Sequence, residues 1–375
     1  MDGLTEDIIT ALSQVHWLFV IARNSNFTYK GSTVDVTRVA KELGVRYVVE
    51  GSVRKVANRV RITAQLVDGT TGSHVWAERY DRELEDIFAI QDEVTEAIVG
   101  RIDTEVRGSE IDRARRKPPV NLDAWELYQR GLWCVYTVTK EGNEEARNLF
   151  LKAVERDPDF ALAHAGISLS CYNEVIDGYS VNSAKWLAQG LAAGEKAVTL
   201  DDKDSFCHFA LGRTFALAGQ GDRAIAELEK SVGFNPSFAQ GHFGLGFTLN
   251  WYGRAAEGIP MYDLAMRLSP NDPHLWAMQA SRAHCCSNIE NYKEAEEWAR
   301  KTVNTRAELF WPNVNLADAL SGQNRHDEAR VAIEAARRVN PDMSLSMIKR
   351  VMPNMHPEYL KRRLDSLRKA GMPEE

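Results

Sequence analysis

The sequence predicts a small α+β domain followed by an all-α superhelix of repeated helix pairs. Three observations support this division. Up to about residue 106, segments with helical periodicity alternate with segments of strand periodicity. From residue 121 onward only helical periodicity occurs, and helix-ending signals recur every 34 residues. The intervening residues 107–120 are polar and basic and contain two consecutive prolines, so we interpret them as a linker.

The composition is typical of a globular protein. The chain has 375 residues, enough for two or three folding units, and is 44% hydrophobic and 26% charged. Its net charge of −7 gives no general electrostatic reason to bind nucleic acid or an anionic membrane. The longest apolar runs are far shorter than the roughly 20 residues that span a bilayer. The five scattered cysteines favour reduced thiols, and therefore a cytoplasmic location.

The chain begins with two predicted helices that flank an apolar run. Leu4, Ile8 and Leu12 lie on one face of the first helix. Residues 17–22 form a continuous apolar run of strand length, and we predict a strand there. A second amphipathic helix ends at Gly44, a residue typical of a helix C-cap.

Alternating apolar and polar residues then predict a hairpin and a third strand. The strands cover residues 47–56, 59–68 and 73–80, and the middle one places apolar and polar side chains on opposite faces. A long helix follows, with an apolar stripe that extends from Ile87 to Val106. The first 106 residues therefore form a small sheet with helices on one face.

The helical region repeats with a constant period. From Asp202 to Pro236 is 34 positions, and from Pro236 to Pro270 is 34 again. The interval from Pro158 to Asp202 is 44 positions, which fits one unit with an insertion. The interval from Pro270 to Pro341 is 71 positions, which leaves room for two units. A fixed period of this length is typical of a helical solenoid.

We therefore predict about six helix pairs over residues 121–341, followed by capping helices over residues 342–375. Each unit has small residues where its two helices must approach closely. In the fourth unit these are Gly246, Gly258 and Ala265. Larger apolar residues fill the space to the next pair.

These repeats resemble the tetratricopeptide repeat, which implies a right-handed superhelix. In the N-terminal region, Asp-Gly-Leu-Thr-Glu-Asp-Ile at 2–8, Phe-Val-Ile-Ala-Arg-Asn-Ser at 19–25, and segments 44–54 and 76–81 resemble the TolB-amino-domain-like module. Residues 364–374 look like the end of the same group of proteins. The chain thus resembles the accessory C-terminal region of bacterial class III adenylate cyclases and CadC-like regulators.

The resemblance also implies a first strand that this chain lacks. In the relatives, that strand and usually an effector domain precede the Asp-Gly-Leu-Thr-Glu segment. A sheet without it has an unpaired row of backbone groups, which can pair with another chain. We therefore expect either an upstream segment or weak self-association through an open sheet edge.

The sequence contains no recognisable pattern for catalysis or for a cofactor. It has no phosphate-binding loop followed by Lys and Ser or Thr, no Gly-x-Ser-x-Gly elbow and no Cys-x-x-Cys pair. The two metal-binding aspartates of a class III cyclase would lie upstream of this chain. We therefore predict no enzyme activity, no cofactor and no metal. His164, His208 and His242 recur at one repeat position, about 10 Å apart by helix spacing, so we interpret them as packing residues.

A tetratricopeptide superhelix presents a concave groove that takes an extended peptide or a partner helix. The positions that match the groove of the family are largely aromatic in this chain. The resemblance implies the partner-binding set Tyr128, Tyr172, Phe209, Arg213, Phe243, Phe247, Asn250, His274 and Ser281. We expect apolar and stacking contacts with Arg213 as a possible anchor, although each aromatic could equally belong to the core of a helix pair.

Two functions follow as hypotheses. The leading one is a non-enzymatic scaffold that binds a peptide or partner protein in the groove. The alternative is a sensory or oligomerisation region of an adenylate cyclase or transcriptional regulator whose effector domain is upstream. We expect no nucleic-acid partner and no membrane segment under either hypothesis.

Overall fold

The computed structural model describes residues 2–21, 35–83, 87–116, 122–352 and 354–375. It has the predicted architecture, a small α+β domain followed by a superhelix of helix pairs. The first domain consists of α1 (Asp2–Ser13), α2 (Val36–Leu43), β1 (Tyr47–Val56), β2 (Arg59–Asp68), β3 (Ser73–Glu83) and α3 (Ile87–Arg116).

The three strands form an antiparallel sheet in the order β1-β2-β3. Leu66 lies opposite Trp76, and both side chains are buried against α1 and α3 together with Val94 and Ile98 of the long helix. The opposite face is polar, as the alternation in β2 predicts. The α2 helix ends at Gly44, whose φ of 66° suits a residue without a Cβ, so the predicted C-cap is confirmed.

The predicted strand over residues 17–22 is wrong for residues 17–21, and residue 22 lies outside the described residues. Trp17 instead packs against α3 and the first repeat. Its indole nitrogen donates to Asp103 at 2.9 Å, and its ring stacks on Trp125 with centroids 5.8 Å apart. The run is therefore only partly covered, with Phe19 87% exposed, and continuous apolarity alone does not specify pairing with a sheet.

The predicted linker also differs from the structure. Helix α3 continues to Arg116, so residues 107–116 are helical, while residues 117–121 lie outside the described residues. Acidic residues three or four positions earlier pair with the basic ones and support the helix. Arg113, for example, pairs with Glu110 at 2.5 Å.

Six helix pairs follow, each with a first and a second helix joined by a short loop. The pairs are α4 (Ala124–Val135) with α5 (Lys140–Arg156), α6 (Ala161–Ile176) with α7 (Ser183–Leu200), α8 (Ser205–Leu217) with α9 (Gly221–Phe234), α10 (Ala239–Trp251) with α11 (Ala255–Leu268), α12 (Leu275–Asn288) with α13 (Tyr292–Thr305), and α14 (Phe310–Gly322) with α15 (His326–Val339). Two further helices, α16 (Leu345–Val351) and α17 (Pro357–Lys369), complete the chain.

Small residues allow the helices of a pair to approach closely. A Cβ at Gly131 would lie 2.4 Å from the ring of Phe150, and one at Gly258 would lie 2.7 Å from the carbonyl oxygen of Gly246. Neither position can hold a larger residue without a shift of its neighbours. The predicted role of the small residues in pair packing agrees with these distances.

The three repeated histidines each make an equivalent hydrogen bond. Nε2 of His164, His208 and His242 lies 2.8–2.9 Å from the carbonyl oxygen of the residue six positions earlier. The histidine position therefore ties each first helix to the turn that precedes it. No group of three or more His, Cys, Asp and Glu side chains suited to a metal ion occurs among the described residues.

Candidate functional site

The C-terminal segment, residues 342–375, lies along the superhelix instead of covering only its last pair. After the sixth pair, Asn340 contacts the Met347 sulfur of α16 at 3.7 Å. Met347 and Val351 in turn lie beside Gly178, in the loop after the first helix of the second pair. The segment thus bridges the sixth pair to the second, and it then passes the third, fourth and fifth pairs on its way back to the sixth.

Hydrogen bonds hold this segment to the ends of successive first helices. Backbone carbonyls in the last turn of a helix have no partner within that helix, so they can accept bonds from another part of the chain. The segment donates to three such carbonyls in order along the superhelix, at 2.7–3.2 Å: Asn354 to Leu217, His356 to Trp251 and Arg362 to Asn288. It also donates from Tyr359 to Gly253, in the turn after α10, and from Ser366 to Asp318, one turn before the end of α14, both at 3.1 Å.

A buried ion pair fixes the segment to the last repeat. The Arg363 guanidinium donates from Nη1 to Asp318 at 3.2 Å and from Nη2 to the Asn315 side chain at 2.7 Å. Arg363 and Asp318 are both buried. Burial is the first cause of the raised pKa of Asp318, and the nearby Arg363 opposes it.

The first helices and this segment line a partly open cavity of about 180 Å³. Its wall is mostly aromatic and apolar, and it draws residues from the first pair through to the sixth. Across the interior, the ring of Tyr136 in the first pair lies only 5.0 Å from that of His274 in the fifth. Met352 and Arg363 of the C-terminal segment complete the wall.

Seven of the nine predicted groove residues line this cavity. They are Tyr172, Phe209, Arg213, Phe243, Phe247, His274 and Ser281. The groove is narrow, because rings of the first and fifth pairs approach to 5.0 Å and Met352 and Arg363 of the C-terminal segment also line it. Several of these side chains are consequently buried.

The other two predicted residues do not line the cavity. Tyr128 is fully buried in an aromatic cluster with rings such as Trp125 and Phe160, 5.5–6.3 Å away. Asn250 accepts a hydrogen bond from Asn288 at 2.8 Å and is also buried. Both therefore belong to the helix packing, which is the alternative that the sequence leaves open for the aromatic residues.

The cavity also contains charged and titratable residues that sequence reasoning missed. Burial raises the pKa of the Asp177 carboxyl to about 7. Burial, followed by the nearby Arg363 charge, lowers the pKa of His284. Asp177 and Arg363 lie at a helix end and in the last helix, outside the repeated positions, so the period gives no signal for them.

The five cysteines, Cys134, Cys171, Cys207, Cys285 and Cys286, are free and buried. Burial raises the pKa of Cys134 and Cys171 to about 11, so their thiols stay protonated and unreactive near neutral pH. Over the part of the chain that the structure describes, no helix has the length and apolar character needed to cross a membrane.

No protein-family model matches the chain. Over 228 residues, 61% of this chain, the sequence is 45% identical to a "Putative adenylate cyclase 3" of Rhizobium meliloti (strain 1021). That match covers 38% of the relative, so the chain spans well under half of its length.

Solved structures that resemble the chain are helical-repeat proteins of low sequence identity. YrrB, "a TPR protein with an unusual peptide-binding site", is 18% identical, with 52% of this chain and 93% of YrrB covered and a TM-score of 0.35. The Cut9–Hcn1 hetero-tetramer of the APC/C is 16% identical, with 73% and 48% covered and a TM-score of 0.49.

Proposed function

We propose that the chain is a non-catalytic interaction module whose concave side binds a peptide or a segment of a partner protein. One observation carries the proposal: the carbonyl ends of the first helices, which also line the cavity, already bind a segment of polypeptide, residues 354–366 of this chain. That segment donates to the last residues of three successive first helices, to the turn after the second of them and to Asp318 of the next. A partner segment with similarly spaced donors can use the same carbonyls.

The aromatic wall supplies the apolar part of such an interface. Phe247 is half-buried and stacks on Trp251 with ring centroids 4.9 Å apart. Aromatic side chains that are partly covered contribute large contact areas at binding sites. Phe243 is a poorer site for mutation, because it packs in the core against Tyr262.

Calorimetry with a captured partner tests the proposal. The purified chain is used to capture proteins from the cells that make it, and each candidate is then purified and titrated. We expect Phe247→Ala to weaken binding at least tenfold. Val331→Ala is the matched control, because Val331 is 61% exposed on a second helix, away from the cavity. Equal affinity for the wild type and Phe247→Ala would refute binding at the concave side.

Hydrogen exchange gives a second readout of the same binding event. The backbone amide of His356 donates to the Trp251 carbonyl at 2.8 Å. A partner that takes this carbonyl must release the amide, so we expect faster exchange at His356 when the partner is bound. Unchanged exchange with full binding would place the partner on another surface.

A second function is supported by the cyclase relative. We propose as the alternative that this chain corresponds to a regulatory or oligomerisation region of an adenylate cyclase or a transcriptional regulator. Neither function predicts cyclic AMP formation by this chain with ATP and Mg²⁺, so the test uses the relative. Deletion of the matched region from the Rhizobium meliloti protein should change its cyclase activity, and an unchanged activity would count against a regulatory role.

The TolB-like N-terminal module belongs to the same proposal. Within the described residues, β1 and β3 are the sheet edges, and self-association through one of them would serve an oligomerisation role. Sedimentation velocity over a range of concentrations measures this directly. A cytoplasmic location also remains a proposal, supported by the five free thiols.

A further inference from the structure

Arg213 lies at the centre of the aromatic wall of the cavity. It is on α8, is 6% exposed, and four aromatic rings surround its guanidinium. The guanidinium carbon lies 4.3 Å from the Phe247 ring centroid, 4.4 Å from Tyr172 and 5.0 Å from Phe243. Such rings hold a cation in place, but they do not neutralise its charge.

Part of the hydrogen-bonding capacity of this guanidinium is unused. Nη2 donates to the Tyr172 hydroxyl, whereas Nε and Nη1 have no partner. Among the described residues, no carboxylate forms an ion pair with Arg213 within 4 Å. Asp177, which lines the same wall, also lies beyond this distance. A buried arginine in this state lacks the anion that normally offsets its desolvation.

The other buried arginines of the described residues all have that anion. Arg101 pairs with Glu105 at 3.2 Å, Arg282 with Asp263 at 2.7 Å, and Arg363 with Asp318 at 3.2 Å. Arg213 is thus the exception among the buried arginines of the described residues, and its side chain lines the aromatic cavity.

The shape and charge of the cavity limit what can supply the missing anion. Its volume of about 180 Å³ suits a body the size of one aromatic ring, since an apolar cavity of about 150 Å³ holds benzene. Phe243, Phe247 and Trp276 in the wall offer apolar contacts to that body. The Asp177 carboxyl in the same wall disfavours a dianion such as a phosphate monoester. A carboxylate, in contrast, is a monoanion that pairs well with a guanidinium.

We propose that this cavity binds a small carboxylic acid, with the carboxylate paired to Arg213 and an apolar body against the surrounding rings. This goes beyond partner binding on the concave side. It requires no release of the C-terminal segment, and a failure of either proposal leaves the other standing.

Isothermal titration with phenylacetate and its neutral analogue phenylacetamide, in a buffer without carboxylates, tests the proposal. We expect phenylacetate to bind at least tenfold more tightly than the amide, and Arg213→Met to remove that difference. Arg223→Met is the matched control, because Arg223 also stacks on a phenylalanine ring, at 4.0 Å, but is exposed on α9. Equal affinity for acid and amide, or binding unaffected by Arg213→Met, would overturn the proposal.

A direct readout on the wild-type protein covers the case in which Arg213→Met does not fold. The Nε–H resonance of Arg213, assigned with Arg213→Lys, should shift on addition of phenylacetate and stay in place with phenylacetamide. The tripeptide acetyl-Ala-Ala-Phe tests whether the carboxylate belongs to a peptide end instead. If the tripeptide shifts the resonance and phenylacetate does not, the ligand is not a small molecule and the proposal is wrong.

Discussion

Two buried arginines line the same cavity, and they differ in whether a carboxylate lies next to the guanidinium. Arg363 comes from the C-terminal segment and has Asp318 as its anion, with Asn315 as a second acceptor. Arg213 comes from the third repeat and has aromatic rings and a tyrosine hydroxyl, but no carboxylate within 4 Å among the described residues. Arg363 therefore has a counter-ion in contact with it, whereas Arg213 has none within that distance.

This difference separates a structural role from a binding role. A buried charge with a fixed counter-ion stabilises one arrangement of the chain, here the packing of the C-terminal segment on the sixth pair. A buried charge without one costs stability unless a ligand supplies the partner. The same side chain type can therefore hold a fold together at one site and prepare a site for binding at another.

The largest effect is expected from removal of the paired arginine. Arg363→Met leaves Asp318 buried without its cation, so the free energy of unfolding should fall by about 3 kcal/mol. Arg213→Met removes a cation that has no carboxylate partner within 4 Å among the described residues, so the loss in free energy of unfolding should stay within about 1 kcal/mol. Urea denaturation followed by circular dichroism measures both. Equal losses for the two variants would erase the distinction drawn between the two arginines.

The same comparison applies to two acidic residues, Asp318, which pairs with Arg363, and Asp177 in the cavity wall. Asp177 has no ion pair within 4 Å among the described residues, and burial raises the pKa of its carboxyl to about 7. The charged groups that influence its pKa are Arg213 of α8 and Glu174, and Glu174 itself pairs with Arg147 of α5 at 3.2 Å. Tyr179 is also close enough to interact with it.

The pKa of Asp177 is higher in the folded than in the unfolded chain. The contribution of this carboxyl to the free energy of unfolding is therefore fully present below about pH 4 and is lost as the pH rises through about 7. Asp177→Asn should therefore stabilise the protein by about 1 kcal/mol or more at pH 8 and have little effect at pH 4. Urea midpoints at the two pH values test this. A gain that does not depend on pH would show that the carboxyl is not the cause.

A smaller effect is expected from a single hydrogen bond of the C-terminal segment. Asn354→Ala leaves the Leu217 carbonyl without its donor, which should cost about 1 kcal/mol and speed hydrogen exchange in the segment. Arg368→Ala is the control, because Arg368 forms only exposed ion pairs, with Asp365 and Glu374, that are worth about 0.5 kcal/mol or less. Similar effects from both variants would mean that this bond does not hold the segment.

The sequence could predict the fold because the fold is periodic. The helix-ending signals at Asp202, Pro236 and Pro270, each 34 residues apart, and the small residues at Gly246 and Gly258 leave one efficient way to pack the helix pairs. The sheet follows equally well from the alternation in β2. The apolar run at residues 17–21 has no alternation, and a loop anchored by Trp17 against helices can have the same composition as a strand, so the predicted strand is wrong there.

The candidate site could be predicted only in part. Positions on the first helices recur with the repeat, so Phe209, Phe243 and Phe247 could be placed on the concave side from the sequence. The closure of that side could not, because it depends on where a non-repeated segment binds. Arg363 and Met352 lie in that segment, and no period relates them to the repeats.

The smallest effect concerns two histidines at one repeat position. Nε2 of both His208 and His242 bonds to a backbone carbonyl. Nδ1 of His208 also lies 2.6 Å from the Glu227 carboxylate, whereas His242 has no carboxylate within 4 Å among the described residues. Burial alone would lower the pKa of His208, but its hydrogen bonds to Glu227 and to the Asp202 carbonyl outweigh burial and raise it. For His242, burial lowers the pKa, and the Pro236 carbonyl only partly opposes it.

The two histidines should consequently contribute to stability with opposite dependence on pH. The contribution of His208 is present below about pH 6.5 and is lost as the pH rises through its folded pKa, whereas that of His242 is lost as the pH falls below about 6.5. Glu227→Gln removes the carboxylate next to His208, although Lys230 nearby remains, so the pKa of His208 should fall and its pH dependence should take the sign of His242. Titration of the imidazole resonances by NMR measures this, and a pKa of His208 that stays raised in Glu227→Gln would show that pairing with the carboxylate is not what distinguishes the two positions.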